Sequence, residues 1–241
     1  ESVQFATARG WEDLSELLAA YEALGLRADR EVVGQYIQLP RIARDFANYL
    51  ELYHKYQNIY HVDEILKGTW QPITVRELRA APFDEKLSVM GLLLSRLSEA
   101  ARETRRQDTL CENLHAALRE FKDTLAAGEK PQAILEALAR RRREALKRAR
   151  DAGQLEKSRQ TLAQLEINAL EDYRRRLAED AASEAAMEAV RSWFGQEVEK
   201  RAAQAQGAGA ELDHAFAFLE ETFGQGQELV LFVTELTAGP D

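Results

Sequence analysis

The stretch Thr7-Ala-Arg-Gly-Trp-Glu-Asp-Leu-Ser-Glu-Leu-Leu-Ala-Ala-Tyr-Glu-Ala-Leu-Gly25 places Trp11, Leu14, Leu17, Leu18, Tyr21 and Leu24 three or four residues apart, the spacing of one helix face. Thr7 suits an N-cap, because a side-chain oxygen there can accept from the free amides of the first turn. Gly25 suits the left-handed stop. A second helix is expected after Asp29, with Val32, Val33, Tyr36 and Ile37 on its face. Pro40 ends it and can open a third, carrying Ile42, Phe46, Tyr49, Leu50 and Tyr53. A short helix with Val62, Ile65 and Leu66 then stops at Gly68. These four short, aromatic-rich helices read as one compact unit, closed by the break Gly68-Thr-Trp-Gln-Pro72.

Beyond the break the helices lengthen. Two amphipathic helices are expected, from Phe83 to about Arg106 and from Asp108 to Leu125. Gly128-Glu-Lys-Pro131 is a turn with proline at a helix start. Residues 131–151 and 154 to about 178 read as a helical hairpin or one interrupted rod around Ala152-Gly153, with Leu155, Leu162, Leu165 and Ala169 near heptad spacing. After Gly207-Ala-Gly209 a helix with Leu212, Phe216, Phe218, Leu219 and Phe223 ends near Gly224. Leu229 to Leu236 fits a buried helix or a strand, and the helical context favours a helix. The expected fold is therefore all-α: a four-helix unit at residues 1–68, then an elongated helical bundle at 69–241 with a long hairpin.

Composition supports this and narrows the function. Of 241 residues 45% are hydrophobic and only 5 are proline, so the chain has the material for one or two cores and few helix breakers. One cysteine, Cys111, excludes a scaffold stapled by intrachain disulfides and favours a reducing, cytoplasmic setting. No run reaches the roughly 18 apolar residues of a membrane span, and no signal peptide opens the chain. The net charge of −9 argues against a nucleic-acid footprint spread over the whole surface; a local basic run such as Arg140 to Arg150 could contact phosphates, but it lacks interleaved aromatics for base stacking. The charge is segregated, however. Arg140 to Arg150 carry seven basic residues against Glu144, while Leu177 to Asp241 carry three basic residues against thirteen acids. Opposite blocks on neighbouring helices can pair in the fold, and partner binding is the other use of such segregation.

Phosphate-cradling loops of the G-x-x-x-x-G-K-[ST] and G-x-G-x-x-G types are absent, as are H-E-x-x-H, C-x-x-C and G-x-S-x-G. Glu51/His54, Glu112/His115 and Glu211/His214 each set a carboxylate one turn from an imidazole, the pair that di-iron bundles use, but the two further inward carboxylates cannot be assigned. Local hydrogen-bonded pairs are the simpler reading.

One further set of residues carries a resemblance. Ala6-Thr-Ala-Arg-Gly-Trp-Glu-Asp-Leu-Ser15, Val33-Gly-Gln-Tyr-Ile-Gln38 and Ile42-Ala-Arg-Asp-Phe-Ala-Asn-Tyr-Leu50 resemble the helical lid of a MoxR-type AAA+ ATPase over roughly residues 5–67. Phe83 to Leu94, Phe216 to Phe223 and Glu228 to Leu236 resemble the helical extension that follows the lid in a subgroup, on less specific motifs. The resemblance implies that Arg9 is the sensor-2 arginine that reaches the nucleotide's terminal phosphates. It also implies that ATP and magnesium are bound by an AAA+ core preceding Glu1, and that the parent works as a hexameric ring. That ring would remodel a client, commonly with a von Willebrand factor A domain partner. On this reading the chain alone hydrolyses no ATP. A start at Glu1 and an end at Ala238-Gly-Pro-Asp241, just after an apolar segment, agree with a longer polypeptide cut at both ends. A helical interaction module with no nucleotide role and, more remotely, a di-metal bundle are the alternatives.

Overall fold

A computed structural model describes residues 6–153 and 156–238. The opening residues 1–5, the heptad position Leu155 and the closing residues 239–241 lie outside the described residues. All regular structure among the described residues is helical: α1 (Ala8–Ala23), α2 (Arg30–Tyr36), α3 (Pro40–Tyr60), α4 (Val62–Leu66), α5 (Pro72–Ala80), α6 (Phe83–Ala126), α7 (Pro131–Asp151), α8 (Lys157–Arg176), α9 (Ser183–Phe223) and α10 (Gln227–Ala238). The all-α expectation holds, and Leu229 to Leu236 are helical. No described helix is long and apolar enough to cross a membrane.

Three expectations are corrected. The two helices expected at Phe83–Arg106 and Asp108–Leu125 are one, the 44-residue α6, because Arg106-Gln-Asp108 contains neither proline nor glycine to stop it. Gly207-Ala-Gly209 does not precede a helix but lies inside α9, where a glycine costs about 1 kcal/mol and no more. Neither glycine has any atom within 4 Å of its would-be Cβ outside the helix itself, so both sit in open space. The break before Pro72 contains the start of an unforeseen helix, α5, with Pro72 in its first turn and Thr74, Val75 and Leu78 buried.

By compactness the chain forms two units, one comprising Glu1–Ser95 with Asp213–Asp241 and the other Arg96–Leu212. Both boundaries fall within helices, α6 and α9, and neither coincides with Gly68. The reason lies in the first unit, where residues on both sides of Gly68 are tied to the end of α9. The His214 Nδ1 atom is 2.7 Å from the Leu66 carbonyl oxygen. Trp70 Nε1 donates to Glu221 Oε2 at 3.1 Å, and the Trp70 ring meets Phe218 edge-on at 5.5 Å. Arg79 donates to the Thr222 and Glu221 carbonyls at 2.9 and 2.5 Å, supplying the cationic cap that a helix C-terminus lacks internally. Tyr60 donates to Glu85 at 2.7 Å, and burial together with that carboxylate pushes its pKa well above the usual phenol value.

In the second unit α7 and α8 pair antiparallel, which makes a hairpin of the two readings left open by the sequence. Ile134, Leu135, Leu138 and Ala139 of α7 share a core with Leu170 and Tyr173 of α8 and with Leu114, Ala117 and Phe121 of α6. The basic run pairs with acids of α6 and α8: Arg141 with Glu120 at 2.5 Å, Arg142 with the buried Glu166 at 2.6 Å, and Arg143 with Glu171. The acidic last third supplies none of these partners. Tyr173 is 2% exposed, and its hydroxyl has no hydrogen-bond partner among the described residues. Deleting an orphaned buried hydroxyl removes a desolvation cost, so Tyr173→Phe is expected to raise stability by about 1 kcal/mol. Urea titration checks this; a less stable variant would mean that the hydroxyl is held by a buried water.

Candidate functional site

The start of α1 is built as a rigid corner. Thr7 is extended, and its Oγ1 accepts from the Gly10 amide at 3.0 Å, as its place in the sequence predicts. Gly25, with φ of 68°, closes the far end. Asp29 caps α2 by accepting from the Glu31 and Val32 amides. Leu14, Val33, Ile37 and Ala43 form a small core of their own, with Trp11, Leu18, Tyr36, Phe46 and Leu50 packed against it. Trp11 meets Phe46 edge-on at 4.9 Å and 87°, the geometry that aromatic quadrupoles favour.

Gly10 is where α1 touches the end of α2. A Cβ there would lie 2.6 Å from the Tyr36 carbonyl oxygen, a backbone atom that cannot swing aside. Gly10→Ala is therefore expected to destabilise the fold by about 1–3 kcal/mol, the cost of overpacking a tight contact, read as a lower urea midpoint.

Arg9 precedes that glycine on the opposite side of the helix from Leu14, five residues back at 100° per residue. Its side chain is 90% exposed, and its ion pair, with Asp13, has Nε and Oδ2 3.9 Å apart. Such an exposed pair contributes a few tenths of a kcal/mol. The helix dipole opposes it: a cation in the first turn faces the positive end, at a cost of about 0.3–1 kcal/mol. The guanidinium is thus held by little, offers its five donors to solvent, and stands on a backbone that cannot shift freely. This is a suitable geometry for receiving an anion with several acceptor oxygens.

The other candidates take plain positions. His54 lies edge-on to Tyr53 at 5.5 Å, and His115 is exposed, with its ring 6.0 Å from Phe194. The His214 ring covers Gly68, whose would-be Cβ lies 2.7 Å from Nε2; Gly68 also needs φ of 74°. Glu51, Glu112 and Glu211 do not bring these imidazoles a converging third ligand. Among the described residues no three of His, Cys, Asp and Glu are grouped to hold a metal ion. Cys111 is half-buried; burial, reinforced by Glu197, pushes its thiol pKa up, so it is a poor nucleophile at neutral pH.

Compared with models of protein families, with curated proteins and with solved structures, the chain finds no match.

Proposed function

We propose that this chain is the lid and helical extension of a MoxR-type AAA+ ATPase, with residues 1–68 as the lid, 69–241 as the extension, and Arg9 as its nucleotide-sensing residue. The observation that carries the reading is the Arg9 corner: a nearly free guanidinium, set against the helix dipole, on a helix start locked by Thr7, Gly10 and Trp11. A side chain kept where it costs stability is understandable if an anion meets it in the working state. The apolar stripe on α3 agrees. Ile42, Tyr49, Leu52 and Ile59 recur at intervals of seven, three and seven residues and stay 38–57% exposed, a face that a neighbouring module would cover.

In the parent, ATP with its magnesium ion would be held by the AAA+ core and supply the bond to be broken. The chain's own contribution is Arg9, which would donate to terminal phosphate oxygens, and the small core of α1, α2 and α3 that holds its helix start. The extension would then carry the motion to a client protein within a cytoplasmic hexameric ring, with a von Willebrand factor A domain protein as partner.

The coding sequence ahead of the Glu1 codon tests this reading. Within roughly 200 codons, about one domain, it is expected to encode a phosphate loop and, after it, an acidic Walker B strand. Finding neither would leave Arg9 without a nucleotide and make the chain an interaction module.

A further inference from the structure

The second unit carries a groove that plays no part in nucleotide sensing. It lies between α6 and α9 and has a volume of about 240 Å³. Its floor is apolar: Leu118 and Phe121 from α6, and Met187, Val190 and Phe194 from α9. Its polar lining is Arg119 and Lys122 on one side, Arg191 on the other, and His115 at one end. The three cations are exposed and have no ionic partner among the described residues, and no acid lines the groove. Of the acids on the same helix turns, Glu120 is paired with Arg141.

The arrangement is periodic. His115, Leu118 and Lys122, with Arg119 next to Leu118, and Met187, Val190 and Phe194, with Arg191 next to Val190, step along their helices by three and four residues, so the two ridges border a trough about 10 Å long, two helical turns. That length matches two or three apolar side chains spaced one turn apart on an incoming helix. The volume falls below the roughly 300–1,000 Å³ usual for small-molecule sites, so side-chain anchors suit it better than a bound metabolite. Unpaired cations on both rims call for carboxylates on both flanks of the visitor. With three cations and no acid in its lining, the groove favours an acidic segment over a basic one.

We infer that the α6–α9 groove docks an acidic amphipathic helix of a partner protein, anchored by apolar side chains on the floor and by Asp or Glu against Arg119, Lys122 and Arg191. This holds whether or not the chain belongs to an ATPase, since it uses none of the Arg9 corner.

The experiment selects a displayed library of helical 16-residue peptides against the full chain alone and then measures the enriched peptides against the triple variant Arg119→Glu, Lys122→Glu, Arg191→Glu. All three positions are exposed, so the variant should keep its fold, with circular dichroism as the check. Enriched peptides are expected to carry Leu, Ile, Phe or Met one turn apart with Asp or Glu beside them, and to bind the triple variant at least about tenfold more weakly. Replacing their apolar anchors by serine should abolish binding. No enrichment, enrichment of neutral or basic peptides, or equal binding to the variant would each overturn the inference. It would also fall if decanoate filled the groove while the peptides did not. Dimerisation of the chain abolished by the triple variant, with no peptide selected, would assign the groove to a second copy instead.

Discussion

Phe218→Ala is expected to lower the free energy of unfolding by about 3–5 kcal/mol, the usual cost of emptying a buried aromatic site. Phe218 is fully buried, and its ring is met edge-on by Trp70, which is itself held by the hydrogen bond to Glu221 three residues further along α9. Removing the ring leaves a cavity that Trp70 cannot fill without giving up that bond. Domains as a rule have only about 5–15 kcal/mol of stability, so the loss removes much of what holds the first unit folded. The urea midpoint should fall while the slope stays unchanged. Val230→Ala on the neighbouring α10 is the control: its side chain is 64% exposed, and the change should stay within about 0.5 kcal/mol. Equal effects of the two variants would mean that the Trp70–Phe218 contact does not exist in solution.

The second large effect is functional, and stability does not follow it. On the proposed function, in a polypeptide that joins this chain to an AAA+ core, Arg9→Ala is expected to slow ATP turnover at least about tenfold, since a charge-assisted hydrogen bond to phosphate contributes about 1.5–3 kcal/mol. The same substitution should leave the melting temperature unchanged or slightly raised. It removes an unfavourable cation–dipole interaction of about 0.3–1 kcal/mol and loses only the long, exposed pair with Asp13. Arg9→Lys should keep the charge but not the fork of donors, and should recover only part of the activity. An Arg9→Ala protein that is both less stable and less active would instead make Arg9 a structural residue.

These expectations differ in how far the sequence alone supports them. Helix starts and stops were legible at several local chemical signals: the side-chain oxygens of Thr7 and Asp29, the fixed φ of Pro40 and the left-handed Gly25 and Gly68 all act where their types predict. The placing of Arg9 on the outer face was legible too, because it follows from helical spacing around Leu14. Continuity was not. Nothing local distinguishes Gln107 inside a 44-residue helix from a residue between two shorter ones, and Gly207 and Gly209 look like punctuation until packing elsewhere along α9 keeps the helix intact. The signal for α5 was present as Pro72, followed by Thr74, Val75 and Leu78 on one face, but the glycine and proline around it read as a break. The groove was out of reach, since its two ridges are some seventy residues apart and each alone is an ordinary amphipathic turn.

The most direct test of the central claim is chemical modification of Arg9. Phenylglyoxal labelling of the natural polypeptide, followed by mass spectrometry, reports the accessibility of each arginine with and without ATP. Without nucleotide, Arg9 should label readily, as its 90% exposure requires, and ATP should protect it while exposed arginines such as Arg140 and Arg150 label as before. Labelling of Arg9 that is the same with ATP as without it would contradict the account.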